Sequence, residues 1–106
     1  MATHIFDIDG TLVEWHTNKW LPGAKEMLVE LGKHGHDIVL ITMRGAQDNN
    51  TEWSMERTKE TICKELDDLG IFHTILFGKS SPRILYDDNQ IYINRRFTNQ
   101  PWPDVV

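Results

Sequence analysis

Ile38-Val39-Leu40-Ile41 is an unbroken apolar run of strand length. A strand with one wet face alternates apolar and polar residues. A continuous run needs cover on both faces, as in a parallel sheet flanked by helices. The sequence on either side supplies the matching pieces. Thr3 to Ile8 reads as a first strand. Pro22 opens a helical pattern at a position where its missing N–H does no harm. Ala24, Met27, Leu28 and Leu31 then recur at i, i+3, i+4 and i+7, one face of a helix whose end Gly32 and Gly35 bracket.

After a polar loop over residues 43–50, Asn50 or Thr51 is a candidate cap for a second helix running to about Leu69, with Gly70 as its stop. Its expected core face is Met55, Ile62, Leu66 and Leu69. Ile75 to Phe77, Arg83 to Tyr86 and Ile91 to Ile93 are further short strand candidates. Beyond Asn94, Pro101 and Pro103 around Trp102 argue against a helix or central strand. Alternating strands and helices predict a Rossmann-like α/β fold with right-handed crossovers. A length of 106 residues predicts a single domain, residues 1–106.

The formal net charge of −5 provides no overall basic field to draw the chain onto nucleic acid or anionic lipid. Cys63 is the one cysteine, so an internal disulfide is excluded and a reducing, cytoplasmic setting is expected. It has no basic partner arranged to activate it and reads as structural. No run of 18 apolar residues and no signal-peptide layout is present, which predicts a soluble, unprocessed chain with no membrane partner.

Ligand crevices of such sheets lie outside the carboxyl ends of the strands. The chemistry-bearing residues fall there. Asp7 and Asp9 follow the first strand, and Thr42, Met43 and Arg44 the second. Gly78 and Lys79 follow the third run, and Asp87 and Asp88 the fourth. Four converging carboxylates repel unless compensated. Mg²⁺ takes a few carboxylates together with waters and phosphate oxygens, and Asp7, Asp9 and Asp87 offer such a set. A phosphoryl group needs positive charge and donors around its oxygens. Lys79, the Thr42 hydroxyl and backbone N–H groups near Gly10 and Met43 are candidates.

With these residues in place, the chain resembles the haloacid dehalogenase superfamily of phosphohydrolases, from Ile5 to about Ile93. Asp7-Ile8-Asp9-Gly10-Thr11 resembles the first motif of that family, and Leu40-Ile41-Thr42 with Arg44 the second. Lys79 fits the third, and Tyr86-Asp87-Asp88 the fourth. The resemblance implies that Asp7 is a nucleophile forming an aspartyl-phosphate, and that Asp9 protonates the leaving group and then activates water. It implies that Thr42 binds the transferring phosphoryl group, with Gly10, Thr11, Met43 and Arg44 lining the substrate. Lys79 would neutralise the phosphoryl group and hold Asp7. Mg²⁺ would sit on Asp7, on Asp9 through its backbone carbonyl, and on Asp87, with Asp88 acting through a water or orienting Lys79.

Family members often carry a cap domain. Neither residues 12–36 nor residues 43–73 leave room for one, so a capless member is expected. An uncapped site encloses a small substrate poorly, and so short a chain suits homo-oligomerisation.

Other readings of the same residues are weaker. A calcium loop starting at Asp7 needs a ligand at its fifth position and Glu at its twelfth, where Thr11 and Asn18 stand. A phosphoacceptor receiver domain keeps its phosphorylated Asp on a middle strand, which here ends in Thr42. Arg44 reads equally as substrate contact or surface charge. Trp15, His16 and Trp20 read first as a half-buried aromatic cluster under a loop. Gln47, Asp48, Asn49 and Asn50 read as a solvated loop. Arg95-Arg96 with Trp102 reads as tail packing ahead of stacking on a base or sugar. His4, His34, His36 and His73 show no metal spacing.

Two functions follow. One is a Mg²⁺-dependent phosphomonoesterase or a related phosphotransferase. Its substrate is a phosphorylated sugar or similar metabolite, or a nucleic-acid end phosphate. The other is a non-catalytic binding or assembly module. Retention of Asp7, Asp9, Thr42, Lys79, Asp87 and Asp88 favours the enzyme.

Overall fold

A computed structural model describes residues 1–46, 53–96 and 102. Strand β1 (Thr3–Asp7) leads to helix α1 (Ala24–Lys33) and strand β2 (Asp37–Ile41). A second helical rod follows in three consecutive parts: α2 (Met55–Thr58), a π-helical turn (Lys59–Cys63) and α3 (Lys64–Asp68). Strand β3 (Thr74–Leu76) completes a parallel sheet of order β1-β2-β3. Asp7 pairs with Ile41 and Ile41 with Leu76, so all three strands end at one edge.

The first helix follows the sequence closely. Ala24, Met27, Leu28 and Leu31 are its buried residues. Gly23 caps its start, and Gly35 takes the left-handed conformation (φ 77°) just past its end. There the Gly35 N–H donates to Gly32 O and the His36 N–H to Leu31 O, both at 3.1 Å, which closes the last carbonyls. Gly70 ends α3 in the same way, with bonds from Gly70 N to Asp67 O and from Ile71 N to Leu66 O.

The second helix differs from expectation. Its N-cap is Ser54, whose hydroxyl accepts from the Arg57 N–H. Asn50, Thr51 and the Gln47–Asn50 loop lie outside the described residues. Ile62 and Leu66 face the core as expected, but Met55 and Leu69 are exposed and Thr58 is buried in their place. The Thr58 hydroxyl donates to Ser54 O (2.9 Å) and the Thr61 hydroxyl to Arg57 O (2.8 Å). Such bonds to the i−4 carbonyl deform a helix, and the π turn lies at that point.

Sequential strand order with right-handed crossovers carries both helical rods to the same face of the sheet. Phe6, Ile38 and Leu40 point to that face and join one core cluster with Leu28, Leu31, Ile62 and Leu66. The opposite face carries Ile5 (51% exposed), Val39, Ile41 and Leu76 (42% exposed). The apolar run in β2 is thus fully covered on one face and partly on the other.

Arg83–Tyr86 and Ile91–Ile93 do not pair as strands; residues 83–96 carry no regular structure. Ile84, Tyr86, Tyr92 and Ile93 are strongly exposed. Among the described residues no strand pairs with the outer side of β1, which is an edge of the sheet. Trp102 rests against Phe6, their ring centroids 6.0 Å apart, and Arg96 stacks 3.7 Å over the Trp102 ring. Pro101 and Pro103 lie outside the described residues. Burial and the nearby Asp67 push the buried Cys63 thiol above its ordinary pKa, which fits a structural cysteine. No helix among the described residues is long and apolar enough to cross a membrane.

Candidate active site

Asp7 ends β1 and Asp9 opens the turn after it. Ile8 between them is fully buried and anchors that turn. The N–H groups of Thr11, Leu12 and Val13 all donate to Ile8 O at 2.9–3.2 Å, and the Gly10 N–H donates to Val13 O at 2.9 Å. Gly10 sits at φ 82°, where a side chain would be strained, and a Cβ there would stand 3.2 Å from the Trp15 ring. The turn is therefore tight and self-satisfied. The Gly10 and Thr11 N–H groups are used within it, so they do not serve as the phosphoryl donors expected from sequence. The Thr11 hydroxyl lies 3.5 Å from Asp7 Oδ2.

Arg44 takes a different place from a substrate contact. Its side chain is 1% exposed and grips Asp9 with two prongs, Nε to Oδ2 at 2.9 Å and Nη2 to Oδ1 at 2.7 Å. The other donors reach Asn18 Oδ1 (2.7 Å), Thr17 O (2.6 Å) and Thr58 Oγ1 (3.4 Å). One guanidinium so ties together the turn after β1, the 17–18 segment and α2. Both Asp9 oxygens are engaged. A planar fork with several fixed donors is what this geometry needs, and lysine has none.

Asp7 is held more loosely. Arg83 Nη1 lies 3.2 Å from its Oδ1, and both side chains are partly exposed. Burial pushes the Asp7 carboxyl above its ordinary pKa, while the Arg83 guanidinium pulls it back. Arg83 Nη2 also donates to Lys79 O at 3.1 Å. Arg83 thus occupies the place beside Asp7 that the sequence assigned to Lys79. The signal for it was present only as a basic residue four positions after Lys79.

The loops after β2 and β3 are zipped together. Gly78 N donates to Arg44 O and Lys79 N to Thr42 O, both at 2.8 Å. This carries Lys79 to the carboxyl edge by its backbone, with the residue itself exposed. Thr42 is buried, and its hydroxyl accepts from the Arg44 N–H at 3.0 Å. Met43 is exposed beside it.

Asp87 and Asp88 are exposed on the irregular segment, and their carboxylates accept from Asn89 at 2.8 and 3.2 Å. No strand delivers them to the edge. Among the described residues no group of three or more His, Cys, Asp or Glu is placed to hold a metal ion. With Asp9 clasped by Arg44 and Asp7 beside Arg83, the residues as arranged do not form a Mg²⁺ cradle.

An aromatic group stands over the same edge. The Trp15 and His16 rings stack at 4.8 Å and 18°, and Trp53 meets His16 edge-on at 5.1 Å. Trp20 is separate from it: its indole N–H donates to Glu65 Oε2 at 2.8 Å and its ring packs on the core. Of the expected half-buried trio, Trp20 is half-buried against the core, whereas Trp15 and His16 are exposed.

Comparison with protein-family models, with curated proteins and with solved structures finds no match to this chain.

Proposed function

We propose that the chain is a phosphomonoester hydrolase acting through Asp7, a capless relative of the haloacid dehalogenase superfamily that its motifs resemble. The observation that carries this reading is the unequal treatment of two carboxylates at one strand end. Asp9 is locked by a buried guanidinium, whereas Asp7 is partly exposed beside Arg83. A nucleophile must be reachable, and of the two carboxylates Asp7 is the one that is.

In the proposed first step an Asp7 carboxylate oxygen bonds to phosphorus as the ester P–O bond breaks. The leaving oxygen takes a proton from Asp9, which can carry one only when one of its oxygens has left Arg44. In the second step Asp9 takes a proton from water, whose oxygen attacks phosphorus and releases inorganic phosphate and free Asp7. Arg83 and Lys79 are the cations at hand for the phosphoryl oxygens. Transfer to an alcohol in place of water would use the same groups.

The test is phosphate release from aryl, sugar, nucleoside and oligonucleotide phosphates, with Mg²⁺ and with EDTA, for the wild type and Asp7→Asn. Release that requires Asp7 supports the proposal, and the EDTA arm reads metal dependence directly. Equal release by Asp7→Asn would remove Asp7 as nucleophile. The second reading, a non-catalytic binding module, is favoured by the exposed, irregular placement of Asp87 and Asp88, whose carboxylates accept from Asn89, and absence of release from every substrate would support it.

A further inference from the structure

Trp15 is 66% exposed although it belongs to a packed group of rings. His16, stacked on it, has φ 59°, a conformation that costs a side-chain-bearing residue energy. The Trp15 ring is seated against Gly10, in the turn that carries Asp7 and Asp9. Trp53, which braces His16, is tied to the loop after β2 by the Gly45 N–H bond to Trp53 O at 3.0 Å. Exposed Met43 adds apolar surface at the same edge. The backbone thus holds a wide flat ring outside the core, against the turn that carries Asp7 and Asp9, beside a strained residue.

From this placement we propose that Trp15 is a stacking platform for a nucleobase, so that the ligand of this edge is a phosphate ester of a nucleoside. The proposal deepens the phosphatase reading and rests on it for the fate of the phosphate, but not for the stacking. Every base offers a π-face to an indole, so such a platform selects bases over bare sugars without selecting among bases. A sugar phosphate without a base lays only C–H groups of its ring on that indole, a smaller contact than the π-face of a base. The net charge of −5 disfavours long polyanions. The shared chemistry is therefore one stacked nucleoside with its phosphate at Asp7, delivered as a free mononucleotide or as an oligonucleotide terminus.

Binding is read in the Asp7→Asn protein by isothermal titration calorimetry, with adenosine 5′-monophosphate, ribose 5-phosphate and a short 5′-phosphorylated oligonucleotide as probes. The nucleotide should bind roughly tenfold or more tightly than ribose 5-phosphate. Trp15→Leu should remove that preference and leave ribose 5-phosphate binding unchanged, while Trp15→Phe, which keeps a ring, should retain most of it. The mononucleotide and oligonucleotide arms separate the two sources. Equal affinity for nucleotide and ribose 5-phosphate, or an intact preference in Trp15→Leu, overturns the proposal. If Trp15→Leu does not fold, the wild-type preference and its size in Trp15→Phe decide. The two readings fail separately. Trp15-dependent nucleotide binding without phosphate release by the wild type keeps the platform and ends the phosphatase reading. Asp7-dependent release with the same kcat/KM for nucleotide and ribose 5-phosphate does the reverse.

Discussion

Arg44 and Asp9 form a two-pronged ion pair at 2.9 and 2.7 Å, with Arg44 buried and Asp9 16% exposed. The pair joins residues 35 positions apart and fastens the end of β2 to the turn after β1. It constrains the geometry of the carboxyl edge from both strands at once.

Removing one partner of a buried pair strands the other. Arg44→Ala should therefore lower stability by about 3 kcal/mol or more. Arg44→Lys should also destabilise, because an ammonium cannot reproduce the fork or reach Asn18 and Thr17 together with Asp9. Urea denaturation measures both. A residue that only touched substrate would leave the midpoint unchanged and shift KM alone, so an unaltered midpoint in Arg44→Lys would refute the clamp.

Asp7 and Arg83 make the contrasting pair. At 34% and 30% side-chain exposure their contact is screened and contributes about 1 kcal/mol or less. Asp7→Asn should abolish phosphate release while the melting temperature moves by only a few degrees. Loss of activity with a collapse of stability would mean that the variant reports unfolding, and the assignment of Asp7 would then lose its support.

The two parts of the fold that sequence patterns described with different success can be compared by mutation. Leu40, wholly buried in β2, should cost about 2–5 kcal/mol on truncation to Ala. Ile84, in the expected fourth strand, is 72% exposed, and Ile84→Ala should stay within about 0.5 kcal/mol. A large loss at Ile84, read by the same denaturation curve, would show that residues 83–86 pack after all.

That contrast shows where the sequence was legible. α1 announced itself because burial, helical spacing and a terminal glycine all agree over Ala24–Lys33. β1 and β2 did so through apolar composition, and Asp7, Asp9 and Thr42 through their place at the strand ends. The fourth and fifth strand candidates failed because a short apolar run states a preference for burial and not its fulfilment. Met55 and Leu69 failed because Thr58 turns inward to meet Arg44 (3.4 Å), a tertiary demand that no helical period encodes. Arg44 itself was ambiguous for the same reason: its partners Asn18, Thr17 and Thr58 are scattered in sequence and meet only in space. Arg83 was hidden because its contact with Asp7 spans 76 positions.

At the other end of β1, His4 lies edge-on to His36, ring centroids 4.8 Å apart, and stacks near Phe6. His36 Nδ1 accepts the Ala2 N–H at 3.1 Å. Partial burial, and then the proximity of His36, lower the His4 pKa below its ordinary value. The folded chain therefore binds a proton at His4 less readily than the unfolded chain does. Above the unfolded pKa of about 6.5 both states are neutral there and the group adds no pH dependence. As pH falls below that value the unfolded state gains protons first, so stability present at neutral pH is lost until the folded-state pKa is passed. Denaturation midpoints measured between pH 7.5 and 5 should decline on the acid side, and His4→Phe should flatten the decline while keeping a ring against Phe6. If His4→Phe follows the same slope as the wild type, the acid sensitivity has another source.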